Sequence, residues 1–559
     1  MQFIYKSIFF VPKLTLILTL FLTGCGVFSP RVVQAVPVVP VNAEIQSTST
    51  PEISASKSSE VLFFLPEFFP EKFIKEFDKP SNWIETDNPK NADLTFGIGT
   101  GVVVSQWVYA AAVPFPTVID KIDSATMKTA WQKGKQAGFL PTSIYVDPGT
   151  AQIFTELWGK PSLPFVEILP ENSILEKAWA QKTALAIIPF EKIQPKWKIL
   201  EVDNQSPLRK SFQIDSYALS VDLTVTPKDN RPIGEFIPQN SNGTKSFIQT
   251  SNRDSNKLTT IILTGVTALV RGTADLMEKR GMDYPAEDIG DILREADITH
   301  INNEIPFTYK CPPPFMREDN LVFCSKPEYI KLLESIGTDV VELAGDHFQD
   351  WGPEAVLYSI DLYKERGWQY YGGGINLKDG QKALQMEVNG NKIAFIGCNA
   401  KPPGYAGARE NQPGAVHCDF NWLKKEINRV RAEGYIPIST FQHLEYYSYN
   451  SHLILQTDFQ KVADDGALIV SGSQAHQPQA MEFYQDSFLH FGLGNLFFDQ
   501  FKEGLPKRQA FIDRHIIYDN QYINTELITI QFVDLAKARL MTDEERQNLL
   551  QIVFKASGW

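Results

Sequence analysis

Thr338–Gly352 reads T-D-V-V-E-L-A-G-D-H-F-Q-D-W-G. The apolar run Val340–Ala344 predicts a buried strand that stops at Gly345. Asp346 and His347 follow at once, and Asp350-Trp351-Gly352-Pro353 leads into a helical pattern. Open α/β sheets place their chemistry in the crevice outside the carboxyl ends of their strands. The stretch therefore marks a functional edge.

Working outward, the C-terminal half repeats this design. Leu258–Thr264 reads as a strand ending at Gly265, and Ile298–Ile301 as one running into Asn302-Asn303-Glu304. Ile393–Gly397 is another strand. Ile436–Phe441 arrives at His443 and Glu445, and Ala467–Val470 at Ser471-Gly472-Ser473-Gln474-Ala475-His476. Helices are expected over Pro285–Ala296, Pro327–Ile336, Pro353–Arg366, Phe420–Ala432 and Phe459–Asp465. Shorter antiparallel strands follow from Met481, with a hairpin over Ile512–Phe532. Thr542 and Glu545 form a capping box for a last helix.

Glu304, Asp346, His443 and His476 thus sit just past apolar strands. Carboxylate oxygen with imidazole nitrogen is a ligand set for manganese, iron or zinc. Bound there, a metal ion activates water for attack on a phosphoester or amide. His347 is the candidate acid that protonates a leaving group. Any one strand-end histidine can equally be a hydrogen-bonded structural residue. His300, His417, His452, His490 and His515 read as structural or surface. Trp351, Tyr370, Tyr371, Tyr405, Tyr446, Tyr447 and Tyr449 lie in or near the same loops, where they either meet a polymer or pack the loops.

From about Glu60 to Val225, strand and helix signals also alternate, which predicts an α/β domain with a mainly parallel sheet. Residues 227–256 are polar and rich in Pro, Asn, Gly and Ser, as a linker would be. Residues 25–60 read as a flexible tether. Before them, Lys6 and Lys13 flank the short apolar core Leu14–Leu22, the pattern of a signal peptide over residues 1–24. Leu22-Thr23-Gly24-Cys25 resembles the bacterial lipobox. That resemblance implies cleavage before Cys25, a lipid on its sulfur and an exported, membrane-anchored lipoprotein facing the periplasm or cell surface.

The 559 residues are 43% apolar and 21% charged, with a formal net charge of −13. No basic stripe is present, so nucleic acid is not an expected partner. Among the later cysteines, Cys311 and Cys324 bracket a proline-rich loop and are the favoured disulfide pair, although sequence alone does not fix connectivity. No Cys/His spacing indicates structural zinc.

Taken together and in order, the motifs of Leu258–Gln500 resemble the capsule-synthesis CapA family, linked to poly-γ-glutamate production and grouped with calcineurin-like metallophosphoesterases. The matching segments are Asn302–Pro306, Thr338–Gly352, Gly372–Gly374, Phe441–Tyr446, Gly472–His476 and Phe491–Asp499. The resemblance implies a metallophosphoesterase-like layered α/β sandwich over residues 257–535, with residues 536–559 as a C-terminal helix. The region 61–226 would precede it as a smaller α/β domain, and its order resembles a periplasmic-binding-protein lobe.

Three departures stand out. The family has Gly-Asp where this chain has Gly265-Val266, and valine binds no metal. Its strand-end Asn-His is Asp346-His347 here. Its late Gly-His-x-x-His begins Gly472-Ser473, so serine replaces an expected ligand. The expectation is one divalent metal on Glu304, Asp346, His443 and His476. The function would be capsule or poly-γ-glutamate-like polymer synthesis or export, as a metal-dependent hydrolase. Two alternatives stay open: a non-catalytic polymer-binding lipoprotein with a degenerate site, and a solute-binding lipoprotein.

Overall fold

Long apolar runs punctuated by glycine fold into three large sheets. The computed structural model describes residues 60–136, 138, 141–236, 248–315, 321–402 and 406–559. The expected signal peptide, Cys25 and most of the tether lie outside the described residues, as does Tyr405. Among the described residues, no helix is long and apolar enough to cross a membrane.

Two of the sheets build the layered α/β sandwich. In the first, Gln369–Tyr371, Val340–Glu342, Ile298–Asn303 and Leu258–Thr264 run parallel, and Gln509–Tyr518, Gln521–Phe532 and Ala538–Leu540 continue antiparallel. The second has the order Leu384–Val388, Asn391–Asn399, Ile436–Gln442, Ile469–Gly472, Ser487–His490 and Met481–Tyr484. Its middle strands are parallel, with Asn399 opposite Gln442 and Phe441 opposite Gly472.

The sheets face each other through one apolar layer. Ile261, Leu263, Ile298 and Val340 from one meet Ile393, Phe395, Ile436, Ile438 and Ile469 from the other. All but Ile436 and Ile469 are fully buried, and each contributes roughly 1.5–3 kcal/mol. Helices cover both outer faces: Ile330–Ser335 and Gly352–Glu365 on one, Phe420–Ala432 and Leu453–Asp464 on the other. Strands buried on both faces read as continuous apolar runs, which is why they were legible.

Residues 61–227 supply the third sheet. Its order is Trp83–Glu85, Val61–Phe64, Leu94–Ile98, Ser220–Pro227, Val102–Pro114, Ala184–Pro189, Ser143–Val146 and Val166–Ile168. The expected parallel character holds only at its two ends. The centre is antiparallel because Ser220–Pro227 inserts between Leu94–Ile98 and Val102–Pro114, which run the same way, and opposes both, while Ala184–Pro189 opposes Val102–Pro114 from its other side.

Residues 59–559 form one compact unit. Leu258, Ile516 and Ile523 join the core of the third sheet, and Asn524 donates to the Trp197 carbonyl at 2.7 Å. Asn252, inside the stretch expected as linker, is buried and bonded to both backbone groups of Val108.

Arg546 of the last helix makes two hydrogen bonds to Asp120, at 2.7 and 2.8 Å. Burial raises the Asp120 carboxyl, but Arg546 and Lys198 outweigh it and hold it at about 2. Burial pulls Lys198 down to about 8 despite its own contact with Asp120. The Asp120 side chain is 44% exposed, and solvent screening leaves the pair worth about 1 kcal/mol. A depressed carboxyl stabilises above its unfolded value, near 4, and loses that gain as pH falls through its folded value. Asp120→Asn should therefore lose about 1 kcal/mol at neutral pH by urea unfolding, and the difference should shrink below about pH 4.

Several local expectations changed. Pro285–Ala296 is not one helix: Tyr284–Ala286 is a 3-10 turn, Ile289 leaves helical geometry, and Gly290–Arg294 restarts. The helix Arg271–Arg280 was not anticipated. The capping box on Asp543–Ala556 is present, and the disulfides are Cys311–Cys324 and Cys398–Cys418.

Candidate metal and acid–base site

The parallel strands of both sheets end on one side of the sandwich, and five of those ends carry polar groups into one place. Glu304 follows Ile298–Asn303, and Asp346 and His347 follow Val340–Glu342. Lys401 follows Asn391–Asn399, Glu445 follows Ile436–Gln442, and Gln474 and His476 follow Ile469–Gly472. Gly345 lets the first two ends close up, since a Cβ there would lie 2.4 Å from the Glu304 carbonyl oxygen.

One ligand-competent atom each from Glu304, Asp346 and His347 lies within 4.8 Å of the others. Burial, then the neighbouring Asp346 carboxylate, push the Glu304 carboxyl up. Burial would raise Asp346 too, but a hydrogen bond from the Glu304 carboxyl and the Lys401 ammonium hold it below its usual range. Of the two, Glu304 is the carboxyl held toward its protonated form, by its deeper burial and by the Asp346 charge beside it. Asp346 Oδ1 is buried with no N–H donor on it.

His347 is oriented from behind. Its Nδ1 donates to Asp350 Oδ2 at 2.7 Å, and its Nε2 stands 3.9 Å from Asp346 Oδ2. Asp350 is itself fixed by the Phe323 N–H at 2.8 Å. Burial disfavours the imidazolium, but the Asp350 bond and the nearby carboxylates win and raise His347 to about 9. Asp350→Asn should return His347 toward 6.5, as read from its imidazole NMR titration, because the largest raising contribution is lost.

His443 does not join this group. Its Nδ1 accepts from the Leu444 N–H at 2.8 Å, and its Nε2 donates to Asp458 at 3.0 Å. Both nitrogens are thereby engaged. His476 lies closer. Its Nδ1 donates to Asn495 Oδ1 at 2.8 Å, and its Nε2 is 3.9 Å from Glu445 Oε2. Burial, more than its surroundings, keeps it neutral, at about 4.

Two of the three departures, Val266 and Ser473, have further visible consequences. Val266 is fully buried with Ala268, Val270, Ile305, Phe323 and Phe498. That apolar cluster abuts the site, since Phe323 lies 4.6 Å from His347 and Phe498 lies 5.2 Å from His476, ring to ring. Ser473 donates to the buried Glu342 at 2.9 Å. The aromatics largely pack: Tyr371 is buried on Thr440 and His300, and Tyr446 stacks on His452 at 4.1 Å. Tyr447 is 60% exposed, with its hydroxyl on Glu445 Oε2 and the Lys507 ammonium 3.3 Å from its ring centre.

Lys401, Glu445 and Gln474 complete the site, and none of the three carries an assigned role in the sequence. Lys401 Nζ donates to Asp346 Oδ2 at 2.6 Å and to Glu445 Oε1 at 2.7 Å. Gln474 Nε2 reaches Glu304 Oε1 and Glu445 Oε1, each at 3.2 Å. The signal that would have found them is positional: each stands just past a parallel strand, as Glu304 and Asp346 do.

Residues 260–500 match the family described as bacterial capsule synthesis protein PGA_cap. The capsule biosynthesis protein CapA of Bacillus anthracis is 26% identical over 263 residues, 46% of this chain and 64% of that protein. The PGA biosynthesis protein CapA of Bacillus subtilis (strain 168) is 24% identical over 226 residues, 40% of this chain and 59% of its own. This chain therefore spans about three fifths of the relatives' length. An ABC-type phosphate transport receptor from Vibrio cholerae is 12% identical over 32% of this chain and 92% of its own, with a TM-score of 0.26.

Proposed function

From the match of residues 260–500 to the bacterial capsule synthesis protein family and the likeness to the CapA proteins, we propose that this chain acts on a capsule or poly-γ-glutamate-like polymer at the cell envelope, as a hydrolase or transferase assisted by one divalent cation. The observation that carries the reading is the Glu304–Asp346–His347 cluster.

The donor set fits a cation by its chemistry. Asp346 Oδ1 and Gln474 Oε1 are both buried without a hydrogen-bond donor, and a cation would offset the burial and the carboxylate repulsion that push the Glu304 carboxyl up. Oxygen-rich sets suit a hard ion such as manganese. Glu304 and Asp346 would hold it, with the Gln474 carbonyl beside them. A cation there would polarise a phosphoryl or carbonyl oxygen.

The chain's own groups supply the rest. His347 is the acid: Asp350 keeps its Nδ1 proton in place, and Nε2–H faces the carboxylates, where a leaving group would take up the proton. The expected four-ligand set becomes smaller here, because His443 is committed to Asp458. Anchoring through Cys25 belongs to the same proposal and rests on the lipobox resemblance alone.

Lys401 favours the second reading, a polymer-binding protein without catalysis, because its ammonium partly neutralises the acids. Two measurements separate the readings. Equilibrium dialysis of the purified chain against Mn2+ should give one ion per chain, lost in Glu304→Gln combined with Asp346→Ala. Purified envelope polymer incubated with the Mn2+-loaded chain should shorten or change its end groups, and His347→Ala should stop this. Binding of polymer with no bound ion and no change in the polymer would establish the second reading instead.

A further inference from the structure

The site already contains a cation. The Lys401 backbone N–H donates to Asn399 Oδ1 at 2.8 Å, tying the residue back to the end of its strand. Its ammonium then bridges Asp346 Oδ2 and Glu445 Oε1, and its side chain is only 14% exposed.

The surroundings of that ammonium are richer than an ammonium needs. Tyr447 donates to Glu445 Oε2 at 2.6 Å and holds the carboxylate from outside. His476 has its Nδ1 fixed on Asn495, so Nε2 is the nitrogen that faces Glu445. The Gln474 amide lies on the same carboxylate through Nε2, while its Oε1, on a side chain 2% exposed, has no donor. Two carboxylates and an imidazole nitrogen make a donor set for a divalent ion, apart from the Gln474 carbonyl already assigned to the first. Two divalent ions about 3.5–4 Å apart require many ligands to offset their repulsion. An ammonium tethered to the chain carries half that charge and does not exchange.

We propose that Lys401 permanently fills the second cation position of the site, and that removing its ammonium opens a divalent-cation site held by Asp346, Glu445 and His476. The inference deepens the one-cation reading above by explaining why one exchangeable ion, not two, is expected.

The test is Mn2+ counting by equilibrium dialysis on the full chain. Lys401→Ala should bind one ion more than wild type, and Lys401→Arg, which keeps the charge, should bind no more. Adding His476→Ala to Lys401→Ala should abolish the extra ion. Lys401→Met preserves the stem and serves where Lys401→Ala folds poorly, and its thermal midpoint should rise with Mn2+ more than that of wild type. Two ions on wild type, or no gain in either neutral variant, overturns the proposal. No ion on wild type with one on Lys401→Ala refutes the one-cation reading and leaves the assignment of Lys401 standing.

Discussion

Asp346→Ala should weaken Mn2+ binding by about 100-fold or more, while Asp346→Asn should stay within about tenfold of wild type. Loss of outer-shell partners already costs metal sites about 10–100-fold, and Asp346 is a direct donor in this reading. Alanine removes the orphaned Oδ1 and leaves Lys401 with Glu445 as its sole carboxylate partner among those shown. Asparagine keeps a donor oxygen and the side-chain volume. It is also the residue that the family pattern has at this place. Isothermal titration with Mn2+ reads both affinities. Equal losses in the two variants would mean that the charge of Asp346, not its oxygen, is what the cation needs.

Gly345→Ala should destabilise the chain by about 3 kcal/mol and weaken Mn2+ binding with it. The added Cβ would meet the Glu304 backbone, with O at 2.4 Å, Cα at 2.7 Å and C at 2.9 Å. Backbone cannot rotate aside as a flexible side chain can. The strand end carrying Glu304 must shift away from the one carrying Asp346. Gly352 provides the control, because it has a positive φ of 79° but nothing within 4 Å of a built Cβ. Gly352→Ala should cost only about 1–2 kcal/mol, the strain of the left-handed backbone, and leave Mn2+ binding intact. Urea unfolding and Mn2+ titration of both variants decide the point. Similar stability losses in both would show that the close approach at Gly345 is relieved at little cost.

Much of the sandwich was legible because its strands are apolar runs that end in glycine or a polar pair. Leu258–Thr264 appears with the bounds its apolar run suggests, and Glu304, Asp346 and His347 stand together as their strand-end positions imply. His443 has the same local pattern but meets other partners. Asp458 reaches it from the helix Leu453–Asp464, and no feature near His443 in the chain foretells that contact. Lys401 was passed over for the opposite reason. A lysine past a strand normally reads as a solvated end, and only the meeting of Asp346 and Glu445 from two different sheets makes it a buried bridge.

The sequence by itself determined where strands stop and which polar groups stand at their ends, because burial and turn chemistry are local. It also carried the resemblance to the capsule-synthesis family, together with the substitutions at Val266 and Ser473. Only the tertiary structure decided which of those groups meet and in what state of protonation. Convergence depends on register between strands far apart in the chain, and protonation depends on the burial and charge that such packing brings to Glu304, His347 and Lys401.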